Sequence, residues 1–326
     1  MPNSVQNQRP AIMICGHGSR DKRAVDEFNQ LAVRIKERLP EHMVESGFLE
    51  FATPVIGTGL DKLRDAGAKK IVCLPGMLFA AGHVKNDLPS EINTYASENE
   101  GLEMVFAADL GIDARLLDAA KQRVEEALDA ADDVAREDTL LLVVGRGTND
   151  SDANSNVAKV TRMLWEGLGV GWAETAYSGV AYPLVDQALA RIAHMGFKRV
   201  VVFPYFLFSG ILVTRIYNWV DEAASANPGV EFLKASYLND HPKVIDAFVA
   251  RMEEALAGTG NMNCQLCKYR EQIIGHSHDL GAPQQGHHHH VQGAGVEDNP
   301  EDHGVHHGHG HHHHGHHHHH HGDKED

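Results

Sequence analysis

A single offset of 129 residues lays the first part of this chain on the second without a gap, over about 75 residues. Ile14-Cys15-Gly16-His17-Gly18-Ser19-Arg20-Asp21 falls on Val143-Val144-Gly145-Arg146-Gly147-Thr148-Asn149-Asp150, and Ala52-Thr53-Pro54 falls on Ala181-Tyr182-Pro183. Gly67-Ala68-Lys69-Lys70-Ile71-Val72 matches Gly196-Phe197-Lys198-Arg199-Val200-Val201, and Pro75 to Phe79 matches Pro204 to Phe208. A chain that repeats its glycines, prolines and apolar runs in this way is expected to build one fold twice. Three residues with metal-binding side chains are not repeated: His17 becomes Arg146, Glu50 becomes Gly179 and His83 becomes Leu212. Residues that a fold needs tend to persist in both copies, whereas residues that serve a single site need only be in one.

Within each copy, strand and helix patterns alternate. Ala11–Cys15 is an apolar run that ends in Gly-His-Gly, after which Val25, Phe28, Leu31, Ala32, Ile35 and Leu39 recur at helical spacing until Pro40. Val44–Phe51 reads as a strand and Pro54–Ala66 as a helix with Gly67 just past its end. Lys70–Leu74 is a third strand, Pro89–Glu98 a helix, Glu103–Ala107 a fourth strand and Ala114–Leu128 a last amphipathic helix. The order recurs from Thr139 to Leu256. Regular β-α alternation predicts a parallel sheet flanked by helices. The expected architecture is therefore two similar α/β domains, at residues 8–132 and 138–258, related by pseudo-twofold symmetry, with a third region at 259–326.

Length and charge narrow the field. A chain of 326 residues with 42% hydrophobic residues can bury two cores. A formal net charge of -16 argues against nucleic-acid binding and requires a local basic patch for any anionic ligand. Uninterrupted apolar stretches are too short to span a membrane. The polar opening from Met1 to Pro10 has no signal-peptide core, so a cytoplasmic location is expected.

Ligands of open α/β sheets bind outside the carboxyl ends of the strands. His17 sits one residue past the first strand, Glu50 near the end of the second, and His83 in the loop after the third. The three can converge on one sheet edge, and two imidazoles with a carboxylate suit a divalent first-row metal with positions left open for exchange. Gly16–Ser19 also invites a phosphate-loop reading, but no Gly-x-x-x-x-Gly-Lys-Ser/Thr is present and the third glycine of Gly-x-Gly-x-x-Gly is missing.

Together, Gly-His-Gly-Ser-Arg after the first strand, Glu50 before Ala-Thr-Pro, and Leu-Pro-Gly-Met-Leu-Phe-Ala-Ala-Gly-His-Val at 74–84 resemble the sirohydrochlorin chelatases. Met262-Asn263-Cys264-Gln265-Leu266-Cys267 and the histidine-rich C-terminus resemble, more narrowly, the long cobalt-inserting members of that family. The resemblance spans residues 11–270 and the character of the tail. It implies two chelatase-like domains around a cleft and insertion of Co2+ into sirohydrochlorin for cobalamin synthesis. His17, Glu50 and His83 then match the metal-binding and catalytic positions. Ser19, Arg20, Lys85, Arg146 and Arg215, at or near the strand-end loops, become candidates to bind the carboxylates of the macrocycle, since guanidinium forks suit carboxylates. Arg146 is the strongest of these, because it stands where the other copy has its histidine. The alternatives are insertion of Fe2+ to make sirohaem by the same fold, and a non-enzymatic protein that stores or delivers metal through its tail.

Cys264 and Cys267 supply only two thiolates, whereas a closed zinc site or an iron–sulfur cluster usually takes four ligands. His276 and His278, or a second chain, are the available sources of the remainder, and an unliganded pair is the plain alternative. The resemblance favours an iron–sulfur cluster, with a homodimer sharing it as one arrangement. Twenty of the 25 histidines lie from His276 onward, in a region too poor in apolar residues to fold alone. Such a tract is expected to hold several divalent ions without fixed geometry, as a reservoir dispensable for insertion itself.

Overall fold

Eight parallel strands form two sheets, one from each copy of the repeat. The structure is a computed structural model, and it describes residues 9–260, 262, 266–272, 274–275 and 280–281. The first copy runs β1 (Ala11–Gly16), α1 (Lys22–Arg38), β2 (Val44–Phe48), α2 (Ile56–Asp65) and β3 (Lys70–Pro75). A π-helical turn (His83–Asp87) then leads into α3 (Leu88–Glu98), β4 (Glu103–Phe106) and α4 (Ala114–Asp129). The second copy runs β5 (Thr139–Gly145), α5 (Ser151–Leu168), β6 (Trp172–Tyr177), α6 (Val185–Ile192), β7 (Arg199–Pro204), α7 (Ile211–Ala226), β8 (Glu231–Lys234) and α8 (Pro242–Ala257). The strand orders are β2-β1-β3-β4 and β6-β5-β7-β8, so both copies have the same topology. Among the described residues no helix is long and apolar enough to cross a membrane.

The central strands β1 and β5 are buried throughout, as strands covered on both faces must be. Alternation divides their side chains between layers. Ile12 and Ile14 of β1 point to a core shared by the two copies, while Met13 and Cys15 point to an outer core with α2 and α3. The second copy does the same, with Leu141 and Val143 inward and Leu140, Leu142 and Val144 outward against α6 and α7. The shared core is filled by α1, α4, α5 and α8. Its aromatic contacts cross the repeat boundary, with Phe28 edge-on to Phe208 and Phe79 stacked on Tyr205.

The last helix of each copy is exchanged. α4 packs on β7 and β8 of the second sheet, and α8 packs on β3 and β4 of the first. Each repeat therefore supplies its own sheet but borrows the helix that covers part of it.

Two local details differ from the sequence expectation, and both shape the site. The strand expected to run to Phe51 ends at Phe48, because Phe51 takes a left-handed φ of 64° and the chain folds back, with Phe48 N–H donating to Pro54 O. His83, expected in a loop, opens the π-helical turn instead.

Candidate metal centre

His17 leaves β1 between two glycines, and both are there because neighbouring chain comes too close for a side chain. A Cβ on Gly16 would stand 2.7 Å from the Phe28 ring, and one on Gly18, at φ +96°, would stand 1.7 Å from the carbonyl oxygen of Glu50. The β2–α2 turn lies directly over the His17 loop, and Glu50 N–H donates to His17 O at 3.0 Å. This contact brings a buried carboxylate to an imidazole: Glu50 is 4% exposed, and its Oε1 lies 3.2 Å from His17 Nε2.

His83 arrives from the third strand on the π-helical turn. Its Nε2 lies 3.0 Å from that of His17, and the ligand atoms of His17, Glu50 and His83 all lie within 4.8 Å of one another. The outer ring nitrogens define the tautomers. His17 Nδ1 donates to Gly18 O at 2.8 Å, and His83 Nδ1 donates to Asp87 Oδ2 at 2.7 Å. A carbonyl and a carboxylate oxygen only accept, so both Nδ1 atoms carry hydrogen, and the two Nε2 atoms are turned toward each other and toward the Glu50 carboxylate. Such a cluster is satisfied by a proton or a cation at its centre. Two ligands of a tetrahedral ion at about 2.0–2.1 Å stand roughly 3.3 Å apart, close to the spacing here.

Asp87, one helical step from His83 and buried, was not singled out from sequence. It orients the imidazole through the hydrogen bond at Nδ1, as carboxylates behind metal-bound histidines do. Asn86 Nδ2 in turn donates to Asp87 Oδ1 at 2.8 Å. The His-x-x-x-Asp spacing was the available signal, legible only once the segment is known to be helical.

The substrate-binding candidates separate into different settings. Ser19 is half-buried and its Oγ accepts from Asp21 N–H at 3.0 Å, bracing the entry to α1. Arg20 is exposed, with its guanidinium 5.1 Å from the Phe51 ring, which itself lies beside His17. Arg146 is exposed at the end of β5, where the first copy has His17. Arg215 is exposed near the start of α7, donating to Ser178 O at 2.6 Å and stacking over Trp219. A small cleft beside His17 is lined by Gly18, Ser19, Val25, Phe28 and, from the second copy, Phe208.

Lys85 departs from the expected surface role. It is 4% exposed, and its Nζ bonds Asp150 at 2.8 Å and Asp152 at 3.1 Å, both on the second copy. Burial disfavours its charge, but the Asp150 and Asp152 carboxylates outweigh that effect and the ammonium pKa is raised. This lysine is occupied within the protein rather than turned to a ligand's carboxylates. Of the Cys-x-x-Cys pair, Cys267 is buried and Cys264 lies outside the described residues, as do His276, His278 and the histidine tract on which the cluster, shared-dimer and metal-reservoir expectations rest.

Comparison with known proteins follows the repeat. The CbiX family model matches the chain twice, over residues 11–127 and 140–255. The sirohydrochlorin cobaltochelatase of Priestia megaterium is 37% identical over 267 residues, covering 82% of this chain and 86% of that protein. The sirohydrochlorin ferrochelatase of the same organism is 28% identical over 251 residues, covering 77% of this chain and 92% of that protein. Among solved structures, SirB from Bacillus subtilis with Fe3+ is 28% identical and superimposes with a TM-score of 0.69, over 78% of this chain and 100% of that one. The sirohydrochlorin chelatase SirB from Bacillus subtilis subspecies spizizenii, in complex with cobalt, is 28% identical with a TM-score of 0.65, over 77% and 96%.

Proposed function

The chain belongs to the CbiX family, and from that membership we propose that it inserts a divalent metal, Co2+, into sirohydrochlorin at His17, Glu50 and His83. The observation that carries the reading is the convergence of two imidazole nitrogens and a buried carboxylate, with ligand atoms within 4.8 Å of one another. Cobalt is favoured over iron because the cobaltochelatase relative matches at 37% identity and the ferrochelatase relative at 28%.

The charge arithmetic of the site suits the reaction. Insertion exchanges one dication for two pyrrole protons. While His17 and His83 hold the ion they are neutral; as it passes to the macrocycle, each Nε2 is freed to accept one proton. The site thus trades a 2+ ion for two imidazolium charges, and its net charge does not change. Glu50 beside His17 and Asp87 beneath His83 stabilise the ion first and the imidazoliums afterwards. Arg20, Arg146 and Arg215, with Ser19, are the groups we assign to the macrocycle's carboxylates, by the fit of guanidinium to carboxylate.

The test is anaerobic absorbance of sirohydrochlorin mixed with the full chain and Co2+ or Fe2+. His17→Ala or His83→Ala is expected to slow metallation on the order of 10²-fold or more. Asp87→Asn is expected to cost about 10–100-fold in metal affinity or rate. Metallation unaffected by both histidine changes would sink the proposal. Faster turnover with Fe2+ than with Co2+ would replace cobaltochelatase by ferrochelatase.

A further inference from the structure

The buried Lys85 sits in the π-helical turn that carries His83 and Asp87, two residues from each. Its partners belong to the other repeat and to the first residues of α5. Asp150 caps that helix with Oδ1, which accepts from Asp152 N–H at 3.1 Å and Ala153 N–H at 3.4 Å, while its Oδ2 takes the lysine at 2.8 Å. Asp152 adds a second carboxylate at 3.1 Å. The ammonium is thus held by the second repeat, while His83 and Asp87 on the same turn bond to each other.

The matching contact on the other side of the molecule is different. At the same offset Lys85 becomes Thr214, Asp150 becomes Asp21 and Asp152 becomes Arg23. There Arg23 pairs with Asp21 beside it at 2.7 Å and reaches Thr214 Oγ1 at 3.2 Å, with a side chain 61% exposed. The segment equivalent to the π-helical turn is ordinary helix within α7. Of these two matching contacts, the one beside the histidine combines a buried ion pair with a π-helical turn, and the other has neither. Glue between two repeats would serve equally on both sides; an element that sets the position of a ligand is needed on one.

We propose that Lys85 is a positioning residue, through which Asp150 and Asp152 of the second repeat hold the turn that presents His83 to the metal. The repeat that lacks the metal ligands then determines the geometry of the site in the repeat that keeps them. The inference rests on the metal centre proposed above and deepens it.

The experiment uses the full chain. Co2+ binding is followed anaerobically by its d–d absorption, counting only the signal that His83→Ala abolishes, and KM for Co2+ and for sirohydrochlorin is measured in turnover. Lys85→Met is expected to weaken that Co2+ site and raise KM for Co2+ by about 10–100-fold, the range found when groups behind a metal ligand are lost. KM for the macrocycle stays within about twofold of the parent's, which a general loss of structure would not allow. Asp152→Asn, which leaves Asp150 in place, gives a smaller loss of the same kind and decides the matter should Lys85→Met fail to fold. Either variant, folded and with parental Co2+ affinity and KM, overturns the proposal. A parental Co2+ signal that His83→Ala leaves intact overturns the metal centre itself, and the positioning role with it.

Discussion

Protonation at single residues governs both the site and the stability around it. Two imidazoles whose Nδ1 hydrogens are both committed, at Gly18 O and Asp87 Oδ2, face each other through Nε2 atoms 3.0 Å apart, beside the Glu50 carboxylate. That is an arrangement made for something positive. A different residue provides a pH test of the fold beside it. Glu91 lies on α3, and burial pushes its carboxyl from an ordinary value of 4.5 up to about 7. Below pH 4.5 the folded and unfolded chains both hold this proton. Between pH 4.5 and about 7 the unfolded chain releases it and the folded chain does not, so stability falls as pH rises, and above about 7 the deficit is constant. Glu91→Gln removes the penalty. It is expected to raise unfolding free energy by on the order of 1–3 kcal/mol at pH 8 and by little at pH 4. Denaturant unfolding at the two pH values checks this, and an equal gain at both would contradict it.

At the scale of elements, the two strand-end turns show how a fold and a site share residues. In the first copy Gly18 lets the chain of Glu50 cross the His17 loop; in the second, a Cβ on Gly147 would meet the carbonyl of Gly179 at 1.9 Å. The left-handed residue is repeated too, Phe51 at φ 64° and Val180 at φ 65°. The turn is thus architectural, and the first copy has set His17 and Glu50 on it. Gly18→Ala and Gly147→Ala should each destabilise the chain on the order of 3 kcal/mol, through the positive φ and the collision. Gly18→Ala, which bears directly on Glu50, should also weaken Co2+ binding, and by more than Gly147→Ala does. Thermal melts with a Co2+ titration separate the two effects, and equal metal affinity in both variants would count against the turn's part in placing Glu50. The same comparison explains what was legible beforehand. Residues kept in both copies marked the strands and turns, and those kept in one marked His17, Glu50 and His83. The settings of Asp87 and Lys85 are not legible in the sequence, because they depend on the π-helical turn. In sequence, His83-Val84-Lys85-Asn86-Asp87 is a polar stretch ahead of Pro89, and a lysine there looks solvated until the opposite repeat supplies two carboxylates.

Over the whole molecule, the exchange of α4 and α8 removes the independence that a sequence repeat suggests. Nothing in an amphipathic pattern says which of two like sheets a helix covers, so the exchange was invisible in the chain; only non-local packing decides it. Its consequence is mechanical coupling, because neither sheet is fully covered without a helix from the other copy. Phe248 of α8 is fully buried, and Phe248→Ala should cost about 3–5 kcal/mol by the lost apolar contact and the cavity left behind. α8 lies on the first sheet, whereas the tryptophans Trp165, Trp172 and Trp219 all belong to the second copy. If the repeats were separate domains, this change would lower the transition of the first and leave tryptophan fluorescence on its original curve. With exchanged helices the two cannot unfold apart. Far-ultraviolet circular dichroism and tryptophan fluorescence should therefore shift together, to the same lower midpoint in denaturant. Two separated transitions would show that each sheet stands without its borrowed helix, and would overturn the mechanical coupling of the two repeats.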